Sequence, residues 1–154
     1  MERLRTLRIV TRALIVATVV IFLVSAYNVA VFFGGMISPE AGIGFKLTQT
    51  PGTGDYVISL SVNPTNHGFL GVDLSTRLTI FDADGKVVDL NSTSVSIPPG
   101  QKGSSYVSLT IPKAMVPEGN LQNVKGSAQI ELDVRTLWNL VGFKNVMRAG
   151  SGQG

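Results

Sequence analysis

Leu70-Gly71-Val72-Asp73-Leu74-Ser75-Thr76-Arg77-Leu78-Thr79-Ile80 carries the pattern on which the fold class turns. Leu70, Val72, Leu74, Leu78 and Ile80 alternate with Gly71, Asp73, Ser75 and Thr79. A period of two places the apolar set on one side of a pleated strand and the polar set on the other, as a half-buried antiparallel strand requires.

The same alternation recurs on both sides of it. Tyr56, Ile58, Leu60 and Val62 share one face upstream, and Ile43, Phe45 and Leu47 share another before them. Downstream, Val107, Leu109 and Ile111 alternate, and so do Ala128, Ile130, Leu132 and Val134 against Gln129, Glu131, Asp133 and Arg135. Turn signals separate these runs: Pro51-Gly52-Thr53-Gly54, Asn63-Pro64-Thr65-Asn66-His67-Gly68, Asp82-Ala83-Asp84-Gly85, Pro98-Pro99-Gly100-Gln101 and Pro117-Glu118-Gly119-Asn120. Proline cannot donate to a ladder, and Asp, Asn and Gly accept turn geometry. Six or more short strands with turns every ten residues or so predict an antiparallel all-β sandwich over residues 42–148. Leu137, Trp138, Leu140, Val141, Phe143, Val146 and Met147 fit either an amphipathic helix on a membrane or a turn at Asn139–Gly142 with a closing strand, Phe143–Arg148. The strand is preferred, because Gly142 costs a helix about 1 kcal/mol relative to alanine. Residues 149–154 read as a flexible tail.

The N-terminal part has another character. Residues 13–33 carry no charge, and as a helix they span roughly 31 Å, the thickness of a bilayer's hydrocarbon core. The sequence therefore predicts a mainly β protein with one transmembrane helix. Gly34-Gly35 and Pro39 are expected to end that helix, leaving residues 34–41 as a short linker that keeps the domain near the membrane. Arg3, Arg5, Arg8 and Arg12 lie in the basic lead, residues 1–12, and no cation follows until Lys46. Positive residues beside a membrane helix stay cytoplasmic, so these four arginines set the topology: N-terminus cytoplasmic, sandwich extracytoplasmic, at the cell membrane. Val24-Ser25-Ala26 has the small-residue pattern of a signal cleavage site, but the apolar run continues past it, which favours a retained anchor. A pilin-type cut at Arg12-Ala13 lacks the usual acidic residue after it.

Several function classes are disfavoured. Of the thirteen Lys and Arg, nine lie beyond residue 12, against nine of the ten Asp and Glu, so the soluble part has no cationic cluster for nucleic acid. The absence of cysteine removes thiolate metal sites and cysteine nucleophiles. His67, the one histidine, lies in a turn and has no second His or Cys for a metal site. Asp82-Ala83-Asp84-Gly85 begins like a calcium loop, but the twelfth position is Thr93 where a bidentate Glu is needed, so a tight hairpin is expected. No serine sits in a Gly-x-Ser-x-Gly elbow, and Gly52-Thr53-Gly54 lacks the lysine and helix of a phosphate loop. No catalytic, metal or cofactor-binding residue and no small-molecule substrate is therefore expected. Asn91-Ser92-Thr93 is a glycosylation sequon, while Pro64 blocks Asn63-Pro64-Thr65. Tyr27 and Asn28, near the outer end of the apolar run, are candidates for the headgroup interface or for contact with a neighbouring helix. Trp138 fits the sandwich core, a partner contact or a membrane contact, and the core is preferred.

The order of elements from Val57 to Pro112 resembles the folded group-2 late embryogenesis abundant proteins and the related WHy domain (water stress and hypersensitive response). The strand Val57–Val62 runs into Asn63-Pro64, followed by Leu70-Gly71-Val72-Asp73-Leu74, the strand Thr76–Phe81 and the hairpin Asp84-Gly85-Lys86. Ile97-Pro98-Pro99-Gly100 then leads to a strand closing on Ile111-Pro112, and Ile130–Leu137 with Leu140-Val141-Gly142-Phe143 is similar to that family's last hairpin. The resemblance covers most of residues 42–148. It implies an immunoglobulin- or fibronectin-like sandwich without catalytic residues, often membrane-anchored or exported. The expected role is an accessory or scaffolding subunit that binds the bilayer and other membrane or envelope proteins, with oligomerisation open. A filament or surface-layer subunit is the alternative, and a stress-protective protein the further one.

Overall fold

A computed structural model describes residues 2–37, 42–116, 126–137 and 139–150. A 36-residue helix, α1 (Glu2–Ile37), precedes seven strands: β1 (Gly44–Gln49), β2 (Tyr56–Val62), β3 (Val72–Phe81), β4 (Val87–Ile97), β5 (Ser105–Ile111), β6 (Ser127–Thr136) and β7 (Val141–Gly150). All pairings are antiparallel, in a three-stranded sheet β1-β2-β5 and a four-stranded sheet β4-β3-β6-β7. This is the sandwich expected from the alternation, of the immunoglobulin/fibronectin-like type that the resemblance implies.

The decisive stretch forms the centre of the larger sheet. Val72, Leu74, Leu78 and Ile80 of β3 are buried, facing Leu60, Val62, Val107, Leu109 and Ile111 of the smaller sheet. Buried Thr76 interrupts the apolar row, and Ser105 Oγ donates to its Oγ1 at 2.8 Å, so the two hydroxyls satisfy each other between the sheets. The outer face of the larger sheet is charged: Glu131 lies 2.8 Å from Lys144 and 3.8 Å from Arg77.

The register sorts the loops into two ends. Val72 pairs with Ile97 and Thr136, and Val62 with Ser105, so loops 63–71, 98–104 and 137–140 cluster at one end. Phe81 pairs with Val87 and Ser127, and Tyr56 with Gln49 and Ile111, so turns 50–55 and 82–86 lie at the other. Asp82 closes its turn as the sequence predicts: its Oδ1 accepts from the backbone N–H of Asp84 and Lys86, and Gly85 takes φ +77°.

Three features depart from the sequence reading. First, β4 did not emerge from the alternation, because three of its five inward positions, Asp89, Asn91 and Thr93, are polar and only Val95 and Ile97 are apolar. Asp89 accepts from Thr110 N–H and Asn91 donates to the Ser108 carbonyl, so these side chains join β4 to β5 across the sandwich edge. Second, the turn expected at Asn139–Gly142 closes at Leu137–Leu140, where Leu140 N–H donates to Leu137 O and β7 starts at Val141. The preferred closing strand is present and longer than Phe143–Arg148. Third, Gly34 and Gly35 do not end α1, which continues through them to Ile37, inside the expected linker 34–41. Each interior glycine costs roughly 1 kcal/mol relative to alanine. Burial of Val29, Phe32 and Met36 against the sandwich, at about 1.5–3 kcal/mol each, outweighs that cost. The turn Pro117–Asn120, Trp138 and residues 151–154 lie outside the described residues.

Candidate functional site: the helix–sandwich junction

The last three turns of α1 belong to the sandwich. Ser25, Asn28, Val29, Phe32 and Met36 recur at helical spacing and are all buried. Val29, Phe32 and Met36 join Leu60, Val62, Val72, Leu74, Ile97, Leu132 and Val134 in one hydrophobic cluster. Phe33, on the next strip of the helix, meets the Phe143 ring edge-on at 4.8 Å between centroids. The preceding turns, Thr6 to Val24, are exposed throughout, with Leu7, Ile9, Leu14, Val16 and Leu23 among the bare apolar side chains.

Asn28 holds the junction in register. Its Oδ1 accepts from the Leu70 N–H at 2.9 Å, and its Nδ2 donates to the Leu70 carbonyl at 3.3 Å. The same carbonyl accepts from Asn66 Nδ2 at 2.8 Å. Asn66, also fully buried, donates to the Ile97 carbonyl and accepts from Gly68 N–H, which shapes the loop around the helix. Gly68 permits the approach, because a Cβ there would stand 1.9 Å from Asn28 Oδ1. Asn28 therefore finds its hydrogen-bond partner in its own β2–β3 loop. Tyr27, on the exposed side, stacks at 6.3 Å on Phe69 of that loop. Asn28 was visible as a polar residue in an apolar run. Asn66 and Gly68 read only as turn residues, and the one available signal was the helical spacing of Ser25, Asn28, Val29, Phe32 and Met36.

The other singled-out residues lie apart. Arg8 and Arg12 are exposed on the bare turns, and Arg3 and Arg5 fall on the helical backbone of the same end. His67 is exposed in the β2–β3 loop. Asn91 is exposed on β4, its amide engaged with Ser108 O, so the sequon lies in a strand. Among the described residues no three His, Cys, Asp or Glu gather. A shallow depression of about 220 Å³ beside β6 and β7 is lined by Asp133, Arg135, Asn139, Gly142, Phe143 and Lys144. There the hydrogen bonds and charge of Asp133 raise the Arg135 pKa further above its ordinary value, and the depression presents an ion pair to solvent.

No family model matches the chain, and no curated protein matches it. Solved structures with a similar fold include a protein assigned as a β-galactosidase from Bacteroides fragilis (13% identity, TM-score 0.47, covering 71% of this chain and 16% of that one). A β-glucuronidase from Bacteroides uniformis is similar at 14% identity and TM-score 0.49, covering 70% of this chain and 12% of that one. A protein assigned as ApaA from Bordetella pertussis is similar at 13% identity and TM-score 0.43, with 70% and 88% covered. The chain thus spans under a fifth of the length of either glycosidase. At these identities and scores nothing about activity passes to this chain. Among the described residues, one apolar N-terminal helix joined to a β-sandwich fits a membrane-anchored domain.

Proposed function

We propose that the chain is a non-enzymatic single-pass membrane protein, its N-terminus cytoplasmic and its sandwich extracytoplasmic, acting as an accessory or scaffolding binding subunit of a membrane or envelope complex. The observation that carries this reading is the junction. Bare apolar turns run without a linker into a helix end that is core, so the sandwich is rigidly mounted on its span. A rigid mount fixes which surfaces meet neighbours in the same membrane and raises their effective concentration. The basic lead supports the topology.

The binding role rests on the edges away from the β4–β5 closure. β1 and β7 are the outer strands of their sheets, and Ile43, Phe45, Phe143, Val146 and Met147 around them are exposed. Edge strands with apolar side chains accept partner strands. The element order keeps the WHy-like assignment as the family proposal, without catalytic residues or cofactor.

The test is fractionation of native membranes. Alkaline carbonate and high salt are expected to leave the full-length chain in the pellet, and detergent to release it with stoichiometric protein partners cross-linked through β1 or β7. Release by carbonate overturns the anchor. Regular fibres of the chain alone overturn the accessory role in favour of a filament subunit.

A further inference from the structure

The bare part of α1 is short for its task. A hydrocarbon core of about 30 Å takes roughly 20 helical residues. Counted from Arg12, 20 residues end at Phe32, and counted from Arg8 they end at Asn28. Both positions are buried in the sandwich. The outer boundary of the bilayer therefore falls within the junction, at the level of the β2–β3 loop.

That loop runs down the helix toward the span. Gly35 lies against Thr65 and His67, Asn28 against Gly68 and Leu70, and Tyr27 against Phe69. Phe69 is thus the loop's tip on the membrane side. The turn 137–140 lies at the same end, tied in by the Thr136 hydroxyl, which donates to the Gly71 carbonyl at 2.8 Å. Phe69 (75% exposed) and Leu140 (78%) are the two most exposed large apolar side chains among the described residues, and both are at this end. Acidic residues are absent from the loops of this end. Loops 63–71, 98–104 and 137–140 contain no Asp or Glu, and their one fixed charge is Lys102; the opposite turns carry Asp55, Asp82 and Asp84 beside Lys86.

We propose that this end of the sandwich is a lipid-binding surface, with Phe69 and Leu140 inserted at the headgroup–acyl boundary, Tyr27 beside them and Lys102 facing lipid phosphate. The surface rests on the anchored reading above and extends it: the bilayer holds the domain as well as the helix. Aromatic and aliphatic tips carrying a nearby cation suit that boundary, where one side is apolar and the other wet.

The absence of native cysteine allows single nitroxide labels in the full chain. Val16→Cys, Phe69→Cys, Leu140→Cys and Asp84→Cys would be reconstituted in nanodiscs of phosphatidylcholine and phosphatidylglycerol. Collision with oxygen and with a nickel chelate then reads depth. The labels at 69 and 140 are expected to be several-fold less accessible to nickel than the label at 84, and the label at 16 to be the deepest. If 69 and 140 match 84 while 16 stays deep, the lipid surface is overturned and the anchor stands. If 16 is itself open to nickel, the anchor fails and the surface with it. All four side chains are exposed, so the substitutions leave the core intact.

Discussion

Phe32→Ala is expected to destabilise the sandwich by about 3–5 kcal/mol, the usual cost of emptying a fully buried phenylalanine site. Phe22→Ala, ten residues earlier on the same helix, is expected to change it by less than about 0.5 kcal/mol, as surface substitutions do. The contrast follows from burial: Phe32 is 0% exposed within the cluster of both sheets, and Phe22 is bare. Thermal or denaturant unfolding in one detergent compares the two. Truncation extends the same point. A chain beginning at Tyr27 keeps Val29, Phe32 and Met36 and is expected to unfold cooperatively near the full-length midpoint. A chain beginning at Gly42 lacks all three, at about 1.5–3 kcal/mol each. Against a typical total of about 5–15 kcal/mol, that loss is expected to abolish cooperative unfolding and expose dye-binding apolar surface. A shorter chain that melts like the full-length protein would show that the helix is a tether and not core.

What was legible in the sequence was what local periodicity encodes. β2, β3, β5 and β6 each bury one alternating set, and the Asp82–Gly85 hairpin depends on residues within five positions of one another. What was hidden depends on contacts distant in the chain. β4 is a strand because β3 lies beside it and because Asp89 and Asn91 meet the β5 backbone, so the first half of its inward face needs no apolar set and only Val95 and Ile97 reach the core. Gly34-Gly35 carries a local stop signal that the packing of Phe32 and Met36 overrides. Phe45 shows the converse. It pairs with inward-facing Leu60, yet at the edge of its sheet it stays exposed, so alternation gave its face and not its burial.

Asn28 and Gly68 are expected to behave as one unit in a double-mutant cycle. Asn28→Ala leaves the Leu70 N–H without its acceptor inside the junction, whereas the Leu70 carbonyl keeps Asn66. An unsatisfied buried donor costs about 1–3 kcal/mol. Gly68→Ala places a methyl group 1.9 Å from Asn28 Oδ1, with backbone on one side and a buried, doubly bonded amide on the other. The amide must leave, so this substitution loses the same bonds and is expected to cost at least as much. With Asn28 already alanine, the new methyl fills vacated space and its added cost should nearly disappear. The two single losses therefore exceed the double loss by about 1–3 kcal/mol, well above the few tenths expected of independent sites. Simple additivity in unfolding experiments would mean that Asn28 does not clasp the β2–β3 loop, and that the helix meets the sandwich through apolar packing alone.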